Sequence, residues 1–247
     1  MALTPVGASV HIKAFLPASL IEYPEHIADV IYVGECNFRC PFCYNVDLVL
    51  HAQRLPDLDP DKVLARLEGR RGFIDALAIT GGEPTLQSDL VAFLGDVRGL
   101  GLAVKLDTNG YRPDVLRDCL DRKLVDYVAM DIKSCPEGYA AAAGVAVDTE
   151  RIKRSVELLL ASEVEHEFRT TVVPGLTGQE DVEGIVRLIA GAKRYYLQCF
   201  RPGETVGWGL HGPHDPPSAE LMQSMLELAR PDVRRVEIRG LAEPLSR

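Results

Sequence analysis

The feature that most constrains the fold is a regular alternation of short apolar runs with amphipathic stretches. Each run is rich in aliphatic and aromatic residues, which is typical of a buried strand, and each stretch repeats apolar residues at helical spacing. This alternation predicts repeated βαβ units and a parallel sheet wound in one hand. The predicted strands span residues 27–33, 73–80, 102–107, 125–132, 166–173, 192–200 and 233–240. The predicted helices span Pro60 to Glu68, Ser88 to Arg98 with Ser88 as N-cap, Pro113 to Lys123, Thr149 to Ser162, Glu180 to Ile189 and Ser218 to Ala229.

The number of units and the chain length favour one domain. Six or so βαβ units can close or nearly close a barrel, so we expect an α/β fold, a partial (β/α)6 barrel with parallel strands and helices outside. No Gly/Ser-rich or Pro-rich linker divides the 247 residues. The expected parts are an N-terminal extension over 1–26, a barrel core over 27–200, and a C-terminal loop, helix and strand over 201–247.

Composition narrows the class of protein. The chain is 47% hydrophobic and 26% charged, which is ordinary for a globular protein and excludes a disordered chain. The formal net charge of -9 argues against nucleic acid as a partner, because nucleic-acid binders present a basic face. The N-terminal segment lacks a signal-peptide pattern, and no apolar run approaches 18 residues. We therefore expect a cytoplasmic protein without a membrane segment.

Three of the six cysteines lie within eight positions, in the sequence Cys36-Asn37-Phe38-Arg39-Cys40-Pro41-Phe42-Cys43 after the first predicted strand. Such clustering indicates a ligand set and not a disulfide framework. Three thiolates are one short of the four that saturate zinc or an all-cysteine iron-sulfur cluster, so the count implies an open coordination position. Soft thiolates select zinc or an iron-sulfur cluster. A Cys3His zinc site would take its fourth ligand from His51 or His26.

Polar segments also follow the next three predicted strands, and in α/β folds the chemistry collects at these carboxyl ends. Gly81-Gly82-Glu83-Pro84 combines two glycines, which allow close backbone approach to an ammonium group, with a carboxylate. Asp107-Thr108-Asn109-Gly110 offers groups suited to a ribose or a cation. Asp131 and Lys133 flank Ile132, so both point the same way; an ordinary ion pair is the alternative explanation for them.

Two later strands carry polar residues that we expect to face the interior. Arg169 and Gln198 would need partners if buried, and a cofactor supplies these better than an apolar core does. Because side chains alternate along a strand, Cys199 should then face the helices.

The cysteine segment, with the aromatic Phe42 directly before its last cysteine, resembles the cluster loop of the radical S-adenosylmethionine (radical SAM) superfamily. The resemblance implies that Cys36, Cys40 and Cys43 hold a [4Fe-4S] cluster whose fourth iron binds the amino and carboxylate groups of S-adenosylmethionine. It further implies a monovalent cation at Asp107, Thr108 and Asp131. The residues expected to contact the cofactors are Phe42, Gly81, Gly82, Glu83, Pro84, Thr108, Asn109, Asp131, Lys133, Arg169 and Gln198.

The motifs together resemble the glycyl-radical-enzyme activase branch, in particular activating proteins of anaerobic ribonucleoside-triphosphate reductase. The resemblance implies an anaerobic oxidoreductase whose partners are a glycyl radical enzyme and a flavodoxin- or ferredoxin-type electron donor. It also implies reductive cleavage of S-adenosylmethionine to a 5'-deoxyadenosyl radical, with no side chain acting as acid, base or nucleophile. Two departures, Tyr44 in place of a common His and Cys135 after the DIK segment, put the exact substrate in doubt.

Other readings share parts of this pattern. A radical SAM enzyme that modifies a small molecule or a peptide would carry the same motifs, and a non-enzymatic zinc or electron-transfer protein would carry the cysteines. One cluster is expected, because Cys119, Cys135 and Cys199 are isolated. The Gly/Pro-rich segment over 201–217 contains Trp208, His211 and His214 and is a candidate partner contact, but its HxxH pattern is a weak metal signal.

Overall fold

The computed structural model describes residues 10–202 and 215–241, in which strands and helices alternate as the sequence predicts. The strands are β1 Ile12–Ser19, β2 Ala28–Val33, β3 Ala76–Gly81, β4 Ala103–Thr108, β5 Tyr127–Asp131, β6 Glu165–Val172, β7 Tyr195–Cys199 and β8 Val236–Arg239. The helices are α1 Val46–Leu50, α2 Pro60–Gly69, α3 Leu90–Gly99, α4 Pro113–Asp121, α5 Tyr139–Ala143, α6 Thr149–Ala161, α7 Gln179–Leu188 and α8 Ala219–Ala229.

Strands β1 to β4 are hydrogen-bonded to one another in chain order, and so are strands β6 to β8. Strand β2 pairs in parallel with β3, β3 with β4, β6 with β7, and β7 with β8. Sequential parallel neighbours joined by helices are the product of repeated βαβ units. The predicted α/β class is therefore confirmed. The described chain divides into two compact units, of which the first comprises 10–37, 47–108 and 112–128, and the second 38–46, 109–111, 129–202 and 215–241. The expectation of a single domain stays a prediction.

Strand β1 lies in the segment that the sequence assigned to an N-terminal extension. It pairs antiparallel with β2, and its register shifts between Ile12 and Ala14 and between Leu16 and Ser19. Pro17 lies inside it, and proline within a strand is tolerated mainly at a sheet edge, where no neighbour needs its missing N–H. The irregular register and the proline obscure the period-two pattern that reveals a strand.

In the first unit, apolar strand residues pack against helices α2 and α3. Helix α2 begins where its N-cap Asp59 accepts a hydrogen bond from the Asp61 N–H, and Pro60 occupies the first turn. The expected cap at Ser88 is wrong: helix α3 begins at Leu90, and Asp89 holds the N-cap position without a side-chain cap bond. The fully buried aliphatic side chains here include Ile31, Leu67, Leu77, Ile79, Leu90, Leu94 and Leu106.

In the second unit, strands β6 and β7 carry one apolar face and one polar face. Phe168 and Tyr195 are fully buried on the apolar face, where the Tyr195 hydroxyl donates to Thr170 Oγ1 at 2.9 Å. Helix α6 begins after its N-cap Asp148, and helix α5 is a single short segment of five residues that is too brief to show a helical period.

No helix in the two described ranges is long and apolar enough to cross a membrane.

Candidate functional site

The turn after β3 is built on glycines because another stretch of backbone lies against it. A Cβ at Gly82 would lie 1.9 Å from the Glu35 carbonyl oxygen, and one at Gly81 would lie 2.6 Å from the Val33 backbone. Gly81 also has a φ of 115°, which an L side chain disfavours. Backbone bonds join the turn to the segment before Cys36, since the Glu83 N–H donates to the Glu35 carbonyl at 2.8 Å. The chain's own packing thus demands both glycines.

Glu83 is buried and its side chain organises the turn. Its Oε1 accepts from the Thr85 N–H at 3.0 Å, from Thr85 Oγ1 at 2.5 Å and from Thr108 Oγ1 at 2.7 Å. Pro84 begins a short 3-10 turn directly after it. The structure therefore brings the second and third predicted motifs together, because Thr108 belongs to the segment that ends β4.

Asp107 on β4 has a cationic partner that the sequence analysis missed. The Lys105 ammonium group, two residues earlier on the same face, donates to the Asp107 carboxylate. Both side chains are largely buried, with 3% and 12% of their surface exposed. The alternate spacing in VKLD could have signalled this pair. The monovalent cation expected at Asp107, Thr108 and Asp131 stays a prediction, and Lys105 already places a positive charge on one of its carboxylates.

We expect the stability of the native chain to be insensitive to the choice of monovalent cation. Lys105→Met should lower the free energy of unfolding by about 3 kcal/mol, because it removes one partner of a buried ion pair. Sodium or potassium should then recover part of that loss, whereas choline should not. Denaturation midpoints in the three chloride salts measure this, and a native chain that is itself destabilised in choline would contradict the role given to Lys105.

The second unit holds two of the three clustered cysteines. Cys40 is buried and Cys43 is half-buried, and the Cys43 N–H donates to the Cys40 carbonyl at 3.1 Å, which closes a tight turn around Pro41 and Phe42. Burial raises the pKa of the Cys40 thiol to about 11, although the nearby Lys133 acts in the opposite direction. Burial also raises the pKa of Cys43. A metal centre must therefore displace the proton when it binds.

Cys36 belongs to the first unit, where it is half-buried with its Sγ 3.9 Å from Asn37 Oδ1.

Asp131, Lys133 and Arg169 form a partly buried ion network. Arg169 Nε donates to Asp131 Oδ1 at 2.7 Å, and Lys133 Nζ donates to Asp131 Oδ2 at 3.2 Å. Burial disfavours the charged carboxylate, but Arg169 and Lys133 hold the pKa of Asp131 well below its usual range. The Lys133 ammonium also lies 5.9 Å from the ring centroid of the buried Phe42. The expected same-side orientation of Asp131 and Lys133 is confirmed, and they are an ion pair.

The polar face of β6 to β8 extends this network through two residues that sequence reasoning missed. The buried Glu167 accepts from Arg239 Nη1 at 2.9 Å and Nη2 at 3.0 Å, and Arg169 Nη1 lies 3.9 Å from Glu167 Oε1. The Arg239 guanidinium lies over the Tyr196 ring, 3.3 Å from its centroid. These contacts connect β8 to β6, with β7 lying between the two strands.

The remaining predicted residues are placed as follows. Gln198 pairs in register with Thr171 and so shares the face of Arg169, which leaves Cys199 on the opposite face. Asn109 is buried, and its Oδ1 accepts from the Tyr111 N–H at 3.0 Å. The alternation expected on β7 is therefore confirmed.

Tyr44 and Cys135, the two residues at which the motifs depart from the family pattern, both make hydrogen bonds to other parts of the chain. The Tyr44 hydroxyl accepts from the Arg201 N–H at 2.7 Å and donates to the Arg201 carbonyl at 2.9 Å, and its ring stacks on Phe200. Cys135 donates to Asp181 Oδ1 at 3.2 Å and packs against Gly184, where a Cβ would lie 2.5 Å from its own. Both residues therefore hold local structure. Trp208, His211 and His214 lie outside the described residues.

The thiols of Cys36, Cys40 and Cys43 are chemically suited to bind an iron-sulfur cluster, because thiolate sulfur is the usual ligand of such clusters. Across residues 10–202 and 215–241, no three His, Cys, Asp or Glu side chains are grouped as ligands of a single metal ion. A cubane cluster makes a different demand, because each cysteine binds a different iron atom and the sulfurs need not converge on one point. His26, one of the two residues considered for a zinc site, has its Nδ1 3.0 Å from Asp75 Oδ2.

The model of the radical SAM superfamily matches residues 30–189, which is more than half of the chain. The chain belongs to the radical SAM superfamily. Membership implies a [4Fe-4S] cluster and S-adenosylmethionine as cofactors. The recognition made from the cysteine motif is thus confirmed at the level of the superfamily.

Proteins similar to this chain in sequence or fold are named for different activities. The chain is 33% identical over 196 residues to a Methanocaldococcus jannaschii protein named for glycyl-radical enzyme activation, covering 77% of this chain and 80% of that one. It is 29% identical over 149 residues to a Thermococcus kodakarensis protein named for GTP 3',8-cyclase activity, covering 59% and 47%. The crystal structure of Streptococcus suis SuiB bound to S-adenosylmethionine matches with a TM-score of 0.65 at 14% identity, covering 85% of this chain and 50% of SuiB. The chain thus spans about half the length of the last two proteins, and the SuiB match shows the fold alone.

Proposed function

We propose that this radical SAM enzyme installs a glycyl radical on a partner enzyme. The observation that carries the proposal is the 33% identity, over most of both chains, with a relative named for that activity. The partner that we propose is an anaerobic ribonucleotide reductase, and the electron donor is a flavodoxin- or ferredoxin-type protein. The specific target rests on the motif resemblance and not on the geometry.

We assign the cluster to Cys36, Cys40 and Cys43. The CxxxCxxC spacing, three free thiols and the tight turn from Cys40 to Cys43 support this assignment. When bound, the cluster supplies the electron that breaks the C5'–S bond of S-adenosylmethionine, which yields methionine and an adenosyl radical able to take a hydrogen atom from a glycine Cα. The work of the protein is to bind, to orient and to exclude water.

In this proposal, different residues of the chain bind different parts of S-adenosylmethionine. Lys133 offers its ammonium to the methionine carboxylate, and Arg169 keeps Asp131 paired when Lys133 turns towards that ligand. The Gly81-Gly82-Glu83-Pro84 turn presents backbone carbonyls to the methionine ammonium. We place Thr108 and Asn109 at the ribose, Phe42 beside the cluster, and Gln198 on the polar face of β7.

The experiment uses the native chain, loaded anaerobically with iron and sulfide and reduced. It is mixed with S-adenosylmethionine and the anaerobic ribonucleotide reductase of the same organism. The proposal predicts a glycyl radical EPR doublet on the reductase together with 5'-deoxyadenosine. A cleavage reaction that yields 5'-deoxyadenosine but leaves the reductase without a radical would overturn the activase assignment while retaining the radical chemistry.

A second candidate is a radical SAM enzyme that acts on a small anionic molecule. The specific observation in its favour is the polar face of β6 to β8, which presents two guanidinium groups, that of Arg169 bonded to Asp131 and that of Arg239 bonded to Glu167. The relative named for GTP 3',8-cyclase activity points the same way. Consumption of GTP by the loaded enzyme, followed by mass spectrometry, would favour this candidate.

A further inference from the structure

Tyr139, the first residue of α5, buries a hydroxyl group for whose proton the described chain provides no acceptor. The side chain is only 1% exposed, and no group in the described residues accepts a hydrogen bond from its Oη, which the backbone N–H of Lys133 reaches as a donor. Buried hydroxyl groups are nearly always hydrogen-bonded, because leaving one unsatisfied costs about 1–3 kcal/mol. A buried hydroxyl without an acceptor is explained if a bound molecule or cluster accepts its hydrogen bond.

The surroundings of Tyr139 identify the acceptor that is missing. Burial raises the pKa of the phenol, and the charged or ionisable groups that act on it are Lys133, Cys40 and Asp131. The Lys133 ammonium can only donate, and the Asp131 carboxylate is already held by Arg169 and Lys133. Of the three groups, Cys40 is the one that becomes an acceptor when a cluster binds, because its neutral thiol is a weak acceptor and its thiolate a strong one.

The backbone holds Tyr139 firmly against the cysteine loop. The Arg39 N–H donates to the Ala143 carbonyl at 2.7 Å, so the residue before Cys40 is bonded to the last residue of α5. Gly144, with a φ of 67°, lies so close to this loop that a Cβ there would be 2.0 Å from the Arg39 carbonyl oxygen. The Phe38 and Tyr139 rings also meet edge to face, with centroids 6.2 Å apart. The hydroxyl is therefore held in place before any cofactor binds.

We propose that the Tyr139 hydroxyl donates a hydrogen bond to the sulfur of Cys40 once that sulfur binds the cluster, and that this bond raises the reduction potential of the cluster. This inference rests on the proposed cluster assignment. A hydrogen bond to a ligating sulfur withdraws electron density and favours the reduced, more negative cluster. Tyr139 acts through Cys40 and is a positioning and tuning residue.

The test is Tyr139→Phe, which removes only the hydroxyl oxygen. In the loaded protein, the ratio of reduced to oxidised cluster at a fixed applied potential should fall about threefold or more, as measured by EPR during a redox titration. In the metal-free protein, the same substitution removes a hydroxyl whose proton has no acceptor, so the folded-to-unfolded ratio should change by less than about twofold.

Tyr195→Phe provides the matched control, because Tyr195 is equally buried but its hydroxyl already donates to Thr170. It should destabilise the metal-free protein by about fivefold in the same ratio and leave the cluster potential unchanged. An unchanged potential in Tyr139→Phe, or a metal-free protein that is as destabilised as the Tyr195 variant, would overturn the proposal. Failure of the native chain to bind a cluster at all would instead overturn the proposed function.

Discussion

Replacement of Cys40 by Ala should remove the [4Fe-4S] cluster and with it all cleavage of S-adenosylmethionine. Cys40 is the middle member of the CxxxCxxC motif, and two remaining thiolates leave two of the four irons without a protein ligand. After anaerobic reconstitution, the native chain should hold about four irons per molecule and the variant close to none. Iron analysis and the EPR signal of the reduced cluster measure the difference.

Cys199→Ala is the matched control for this substitution. Cys199 is also a free, half-buried cysteine of the second unit, but it lies on the face of β7 opposite Gln198. This variant should retain the full iron content. Equal iron loss in the two variants would assign the effect to folding, and a fully loaded Cys40→Ala protein would refute the ligand assignment.

Replacement of Gly82 by Ala should destabilise the protein by about 3 kcal/mol, because the added methyl group would overlap the Glu35 carbonyl. The colliding atom is backbone, so no side-chain rotation can relieve it. Relaxation must instead break the hydrogen bond from the Glu83 N–H to Glu35. Denaturant titration of the metal-free protein gives the free energy of unfolding directly, without any contribution from cofactor binding.

Gly95→Ala is the control for Gly82→Ala. Gly95 lies inside α3, and a Cβ there would meet no atom within 4 Å. Alanine at an open helical position should raise the free energy of unfolding by about 0.5–1 kcal/mol. The two substitutions should thus shift stability in opposite directions, and a Gly82→Ala protein as stable as the native chain would mean that the turn is not packed as described.

The strands and the motifs were predictable because both are local patterns. Strands β2, β3 and β5 are short, largely apolar and largely buried, and a motif follows the end of each. Strand β1 was not predictable in this way, since Pro17 and two register shifts interrupt its alternation. Helix α5 is too short to show a period, and Ser88 was expected to cap a helix that begins two residues later.

The side-chain partners inside the site were less accessible from sequence. Lys105 and Asp107 lie on one face of one strand, so their spacing carried a signal. Glu167 and Arg239 are 72 residues apart, and only the strand order brings them together. Nothing in the sequence around Tyr139 indicates that its hydroxyl would be buried without an acceptor. Contacts of this kind depend on tertiary packing and not on local pattern.

The measurement that tests the central claim most directly is the production of 5'-deoxyadenosine by the reconstituted, reduced chain under anaerobic conditions. The native protein should convert S-adenosylmethionine to 5'-deoxyadenosine and methionine, and the Cys40→Ala protein should produce neither. A chain that holds zinc without iron as isolated, and that yields no 5'-deoxyadenosine after reconstitution and reduction, would contradict the account of this protein as a radical enzyme.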